Sequence, residues 1–300
     1  MINQLIWCIG ILTLTVLFFQ LFKFIILYLR PSQLLKYKTE DAYALVTGAT
    51  DGIGKAIALE LASNGFNIII HGRNVEKLKL AENEIITKNP TCKVINLIHD
   101  GSKSSKMDIS SVSHLPITIL VNNVGVGPIS EFTKMSNQEI DETITLNAAL
   151  PSQLTHDLIP FFQKPALILN VSSYAGLLPP PYLAVYAGTK AYNNAFSISL
   201  ARELENIEVI SLLTGSVNTG SNKKPVSFMR PSAETYAKCV LNRIGCGRQS
   251  IMPYWQHAIQ TFLISLLPQK FIDKATKNAL RKELAPKRNS EVLFECRKHG

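Results

Sequence analysis

Apolar positions fall into three regimes along the chain. From Leu5 to Leu29 nearly every side chain is apolar, and only Gln20 and Lys23 interrupt the run with strongly polar groups. As a helix this run measures about 37 Å, enough to cross a hydrocarbon core of roughly 30 Å with tilt or with Lys23 reaching toward the interface. No Lys or Arg precedes the run and no small-x-small site follows it, a poor fit to a cleaved signal peptide. Arg30, Lys36 and Lys38 follow it directly, which predicts a cytosolic side there. Residues 1–30 therefore read as a transmembrane anchor.

Between Asp41 and Met252 the pattern changes to short apolar runs alternating with helical periodicity. The stretch "AYALVTGATDGIGKAIALELASNGFNIIIHGRN" reads as a strand, a glycine turn, an amphipathic helix and a second strand. Further strands are predicted at Lys93–Ile98, Ile117–Asn122, Ala166–Val171 and Glu208–Leu213, with a shorter one at Gln249–Met252. Strands apolar on both faces and separated by helices predict a parallel sheet covered on two sides. The expected fold class is α/β: a Rossmann-type doubly wound parallel sheet over residues 41–252. The third regime, residues 253–300, combines the apolar segment His257–Ile272 with a basic, partly helical tail. Length alone leaves two readings of that segment open, a helix at the membrane or a buried core helix.

Composition sharpens two points. Three hundred residues suffice for one large domain, and the hydrophobic excess sits in the first run. The net charge of +9 is unevenly spread: from Lys270 onward nine Lys and Arg face four acids. On an anchored chain this suits membrane lipid headgroups or an acidic substrate, and a solvated tail fits as well. No nucleic-acid-binding motif accompanies the charge, so no nucleic-acid partner is expected. The five cysteines (Cys8, Cys92, Cys239, Cys246, Cys296) show no CxxC or Cys/His spacing, which predicts reduced thiols and no metal site.

The turn "TGATDGIG" places Thr47, Gly48, Gly52, Ile53 and Gly54 between strand and helix. Glycines there permit a tight turn and let backbone N–H groups approach a pyrophosphate at the helix N-terminus. The spacing is TGxxxGxG rather than GxGxxG. After the second strand the chain has His71, Gly72, Arg73 and Asn74, with no carboxylate to hold ribose hydroxyls. A guanidinium can grip a 2′-phosphate bidentately, so Arg73, helped by Lys55, predicts NADPH/NADP+ as cofactor. Asp100, after the third strand, is placed to contact the adenine.

In "VYAGTKAYNNAF", Tyr186 and Lys190 stand four apart, neighbours on one helical face. An ammonium that close favours the phenolate. Together with "TGATDGIG", "LVNNVG" (Leu120–Gly125), "TLN" (Thr145–Asn147) and "NVSSYAG" (Asn170–Gly176), in this order, the chain resembles the short-chain dehydrogenase/reductase family. The resemblance spans about Ala42 to Thr219. It implies that Tyr186 protonates a carbonyl oxygen, that Lys190 lowers the tyrosine's pKa and holds the nicotinamide ribose, and that Ser173 hydrogen-bonds the substrate carbonyl. Ser173 is chosen over Ser172 because it lies thirteen residues before Tyr186. Asn147 would hold a water leading from Lys190 to bulk, Asn122 and Gly125 would shape the wall by the adenine-side ribose, and Thr219 would meet the carboxamide or pyrophosphate. Thr214-Gly215 stands where the family usually has Pro-Gly, predicting a looser backbone. The connections between Asp100 and Leu120 and before Ala166 are short.

A closer resemblance is to the very-long-chain 3-oxoacyl-CoA reductases of the 17β-hydroxysteroid dehydrogenase type 12 branch, fungal members in particular. It is carried by the anchor, "YLRPSQLLKYKTEDAYALVTGATDGIGKAIALELASNGFNIII", "LPITILVNNVG" and "MPYWQHA". It implies fatty acid elongation at the endoplasmic reticulum membrane, the catalytic domain facing the cytosol. It also implies an acyl-CoA substrate and elongation-complex proteins as partners; members of the short-chain family often pair through helices, which leaves a homodimer open. The terminal "RKHG" sets Arg297 and Lys298 where a dibasic retrieval signal would sit. Two alternatives stay open: the same hydride chemistry on a steroid or secondary-metabolite ketone, or an inactive membrane-tethered binding protein.

Overall fold

The computed structural model describes residues 2–298, the side chains of residues 285–298 excepted. One parallel sheet organises the body. Its strands are β1 (Tyr43–Thr47), β2 (Asn67–Gly72), β3 (Val94–Ile98), β4 (Ile117–Asn122), β5 (Ala166–Ser173), β6 (Ile207–Thr214) and β7 (Ser250–Ile251). They lie in the order β3-β2-β1-β4-β5-β6-β7. Every neighbouring pair is parallel.

Alternation along the strands feeds two apolar layers. Ala44, Val46, Ile68, Ile70, Val121, Leu167 and Leu169 face α2 (Gly52–Ser63), α3 (Val75–Lys88) and α7 (Ala233–Leu241). Leu45, Ile69, Leu120, Ile168 and Val209 face α5 (Leu150–Leu158) and α6 (Ala184–Glu203). Burial on both faces is why these strands read as continuous apolar runs, each fully buried Leu or Ile contributing about 1.5–3 kcal/mol. The chain winds from β1 outward to β3, then crosses to β4 on the other side of β1. That reversal opens a crevice at the carboxyl ends of β1 and β4, where α/β sheets bind ligands.

The predicted strands match to within a residue or two, except that β5 runs on to Ser173 and β7 shrinks to two residues. Turns without a helix join β3 to β4, as the short connection predicts. A helix capped by Ser136 and Glu139, α4 (Asn137–Ile144), runs into α5 through a π-helical turn at Thr145–Ala149. Such bulges re-aim a side chain, and this one carries Asn147.

The first regime forms α1 (Ile2–Leu29), 28 residues with no buried side chain, long and apolar enough to be a candidate membrane span. After Met252 come α8 (Trp255–Ser265) and α9 (Gln269–Lys298). Past Met252, where the tail is expected to begin, packing against the body continues. The ring of His257 packs edge-on against Tyr254 at 5.0 Å and lies 6.4 Å from Tyr236, so the first turn of α8 belongs to the body. The side chains of the expected retrieval signal, Arg297 and Lys298, lie outside the described residues.

Candidate active site

A cleft of about 870 Å3 opens at the carboxyl ends of β1, β4, β5 and β6. Its first wall is the glycine turn. Gly48 and Gly52 take φ of +63° and +55°, a region that side chains beyond glycine rarely adopt. Gly54 has no room to be anything else: a Cβ would lie 2.3 Å from both Gly48 O and Asn123 Nδ2. Gly48, Asp51, Gly52 and Ile53 line the cleft, so the first turn of α2 meets it with the unpaired N–H groups that suit a phosphate.

Thr47 stands behind this wall rather than in it. Its Oγ1 donates to Val121 O (3.2 Å) and accepts from Asn123 N (2.9 Å) and Val124 N (3.1 Å), joining β1 to the loop after β4. Asn122 departs from its expected place. Its Nδ2 donates to Thr155 Oγ1 (2.9 Å) and Asn170 Oδ1 (2.8 Å), turning it into the buried layer between β4, β5 and α5. Asn123 lines the cleft instead, donating from Nδ2 to Thr47 O and Gly48 O. Successive strand residues face opposite sides, and "NN" alone does not say which one faces the site.

At the end of β2, buried His71 props the turn. Its Nδ1 accepts from Gly48 N (3.4 Å) while Nε2 faces His99 O (3.1 Å). That geometry assigns the proton to Nε2, and burial pushes the imidazole down to about 4, so it is neutral near pH 7. Arg73 lies at the cleft edge with its side chain 71% exposed, 3.8 Å from the Asp100 carboxylate. Hydrogen bonds from Ser102 hold that carboxyl below its usual range. Asp100 thus orients Arg73, and Ser102 lines the cleft beside it. Lys55 turns away to Glu84 at 3.0 Å.

The second wall is α6 and the ends of β5 and β6. Tyr186 and Lys190 line the cleft one turn apart, with Lys190 Nζ 5.8 Å from the centre of the Tyr186 ring. Lys190 is buried, donates to Val171 O (2.7 Å), and is pushed down to about 8 by that burial. Tyr186 moves up because burial outweighs the hydrogen bond with Ser173 that pulls it down. The expected lowering by Lys190 is therefore not what dominates here: desolvation acts on both groups and favours their neutral forms.

The two serines separate cleanly. Ser172 Oγ donates to Lys190 O at 2.6 Å, whereas Ser173 faces Tyr186 and accepts from Ala175 N at 3.1 Å. Asn147 is fully buried at the π-turn. Its carboxamide exchanges hydrogen bonds with Val126 N (2.8 Å) and Val126 O (2.7 Å), and its backbone O accepts from Asn193 Nδ2 (2.9 Å). It thereby fixes the loop that carries Gly125 and Gly127. A Cβ at Gly125 would stand 3.1 Å from Asn147 Oδ1 and 3.4 Å from Lys190 Nζ, and one at Gly127 would stand 2.9 Å from the Tyr186 ring. Gly125 is among the residues expected from the sequence and Gly127 is not; the signal available for Gly127 is the second glycine of "NNVGVG".

The third wall is a loop spanning residues 217–230, from which Val217, Thr219, Ser221 and Asn222 line the cleft. Thr219 packs on Gly52, where a Cβ would lie 3.2 Å from its methyl carbon. The looser backbone expected at Thr214-Gly215 is compensated by packing. Thr214 Oγ1 bonds Tyr236 Oη at 2.8 Å, and a Cβ on Gly215 would meet the His257 ring at 2.7 Å.

A glycine cradle at a switch point, facing a Ser/Tyr/Lys cluster, defines a nucleotide-dependent oxidoreductase, and the residues of the cradle fit a nicotinamide dinucleotide. The short chain dehydrogenase sequence pattern matches residues 42–229, and the chain belongs to that family. Among relatives, the very-long-chain 3-oxoacyl-CoA reductase of Vanderwaltozyma polyspora is 35% identical, covering 88% of this chain and 84% of that protein. The protein of the same name from Eremothecium gossypii is 34% identical over 88% and 83%. Among solved structures, a short-chain dehydrogenase from Sphingobium yanoikuyae in complex with NADPH superposes with a TM-score of 0.62 at 23% identity. It covers 76% of this chain and 97% of that one. The protein is a ketoreductase of this family, working with a nicotinamide cofactor.

Proposed function

We propose that this chain reduces the 3-oxo group of a long-chain acyl-CoA to a 3-hydroxyacyl-CoA with NADPH, as part of very-long-chain fatty acid elongation. The observation that carries the chemistry is the convergence of Ser173, Tyr186 and Lys190 on one cleft beside the glycine cradle. The substrate class rests on similarity along most of the chain to reductases of that name. In this reading the enzyme sits in the endoplasmic reticulum membrane with its body in the cytosol, which α1 as a candidate span and the likeness to elongation reductases support.

When bound, the cofactor supplies a hydride to the carbonyl carbon. The rest is done by side chains. Ser173 donates a hydrogen bond to the carbonyl oxygen, and Tyr186, kept protonated by its raised pKa, passes its phenolic proton to the same atom. Lys190 reprotonates the site with its ammonium held against Val171 O. Asn147 keeps Gly125 and Gly127 in place against Lys190 and Tyr186. Arg73 is assigned to the 2′-phosphate, and Gly48, Gly52, Ile53 and Thr219 to the pyrophosphate side.

NADPH oxidation by the full chain in detergent tests the reading, with long-chain 3-oxoacyl-CoA, a 17-ketosteroid and a blank in parallel. Turnover confined to the acyl-CoA supports it. Turnover of the steroid alone moves the assignment to another lipophilic ketone.

A further inference from the structure

Helix α8 turns outward the face a helix normally buries. Gln256 and His257 are buried, and Thr261 Oγ1 reaches the Met252 sulfur at 3.3 Å, so these residues mark the body side. Trp255, Phe262 and the C-capping residue Leu266, at spacings of seven and eleven, share the opposite face, and all three are exposed, Leu266 to 64%. The loop over the cleft extends this surface. Its Thr219, Ser221 and Asn222 line the cleft, whereas Val226 and Phe228 are exposed, Phe228 to 62%. The Phe228 ring meets Trp255 edge-on at 5.7 Å. Tyr254 Oη donates to Phe228 O at 2.9 Å, and His257 Nε2 lies 3.3 Å from Met229 O, so loop and helix are joined. A contiguous apolar surface of this kind marks a docking face.

Two observations identify what covers it. The last turn of α1 is fastened to the same corner: Tyr28 Oη donates to Met252 O at 2.7 Å, three residues before α8 begins. Arg243 Nη1 donates to Leu27 O at 2.5 Å, and its guanidinium lies over the Tyr28 ring. The point where α1 leaves its bilayer is thus the point where α8 starts. In addition, the first four turns of α9 carry Lys270, Lys274, Lys277, Arg281 and Lys282 against Asp273 and Glu283, a balance that suits anionic headgroups.

We propose that the outer face of α8, together with Val226 and Phe228 of the loop, seats on the bilayer that α1 crosses. The loop then has its polar face on the cleft and its apolar face in lipid, and an acyl chain enters beneath it from the membrane. The proposal rests on the reading of α1 as a membrane span, and the experiment separates the two.

The chain has two tryptophans, Trp7 in α1 and Trp255 in α8. The full chain is reconstituted in phosphatidylcholine/phosphatidylserine vesicles containing acyl-brominated phosphatidylcholine, which quenches tryptophan at lipid depth. Trp255→Phe leaves Trp7 to report on the anchor, and Trp7→Phe leaves Trp255. A third variant, Trp7→Phe/Trp255→Phe/Leu266→Trp, reports from the far end of α8, about 16 Å away. Quenching at all three positions is expected. Quenching of Trp7 without position 266 overturns the proposal and leaves the anchor standing, whether or not Trp255 is quenched. No quenching at any position overturns both. Cross-linking of Leu266→Cys between copies, without quenching, assigns the face to a second chain. A second readout is turnover in vesicles: Phe262→Ser/Leu266→Ser should lower turnover of long-chain 3-oxoacyl-CoA several-fold while leaving a short, water-soluble 3-oxoacyl-CoA unaffected. Equal loss on both substrates overturns entry from lipid.

Discussion

The two sides of the cleft are built by different means. The cradle side is backbone: glycines at positive φ, a Cβ-sized gap closed by Gly48 O, and buried Thr47 and His71 holding strand ends together. The loop side is mostly surface, shaped by its own side-chain bonds, such as Asn222 Nδ2 to Val217 O (2.9 Å) and Arg230 Nε to Ser216 Oγ (2.8 Å). The first is paid for by the whole core and tolerates nothing; the second exchanges partners with solvent at small cost. A pocket of this kind fixes one reactant rigidly and adapts to the other.

Tyr186 lines the cleft between these two sides, on the wall formed by α6, so its replacement should have the largest effect. Tyr186→Phe removes the transferable proton and leaves the cradle untouched, so reduction should fall about 10²–10⁴-fold with NADPH affinity unchanged. Turnover and cofactor titration on the same preparation check this, and activity within a few-fold of the parent would remove Tyr186 from its role. Next comes Gly54→Ala, a single methyl that has to push Gly48 O or Asn123 aside. Overpacking of this sort costs roughly 1–3 kcal/mol, and thermal unfolding together with a loss of NADPH affinity of about tenfold or more should show it.

Arg73→Ala tests the edge of the cradle, where a side chain rather than the backbone is in charge. A charge-assisted contact contributes about 1.5–3 kcal/mol, so NADPH should weaken about tenfold to a hundredfold and NADH hardly at all. Equal losses for both cofactors would assign Arg73 to holding Asp100 instead. A pH profile sharpens the opposite wall. Reduction needs Tyr186 protonated and Lys190 charged; the first persists because the phenol is raised, and the second is lost as pH rises through about 8. The rate should be level near neutrality and decline toward tenfold per unit above about pH 8. A profile flat to pH 10 would show that burial does not govern Lys190.

How legible each side was in the sequence follows from the same contrast. Backbone demands leave glycines in fixed order, so "TGATDGIG" announced the cradle, and the apolar runs announced a sheet buried on both faces. The i, i+4 pair announced the catalytic helix because helix periodicity is local. Alternation hid the choice between Asn122 and Asn123, since one residue of slip reverses the face. Three-dimensional closure hid Gly127 under Tyr186 and His257 behind Gly215, which are 59 and 42 positions apart from their partners in sequence. Burial set the direction of the Tyr186 shift, and burial is not written in a pair of letters. The loop and α8 were least legible, because an outward apolar stripe has the same period as an inward one.

The smallest effect is expected where the loop meets α9. Lys224 Nζ pairs with Glu283 Oε1, a contact that joins the cleft's covering loop to the tail and looks like a clasp. Both ends are solvated, with side chains 47% and 33% exposed. A pair in that setting contributes 0–1 kcal/mol, less at physiological salt. The loop has stronger seats in Tyr254 Oη on Phe228 O and in the Phe228–Trp255 contact. Lys224→Ala should therefore change KM by no more than about twofold, and kcat not at all, with the difference vanishing as salt is raised. A salt-independent rise in KM of tenfold or more would make the pair the clasp, and would mean that the loop side, too, is held by a fixed contact rather than by an adaptable surface.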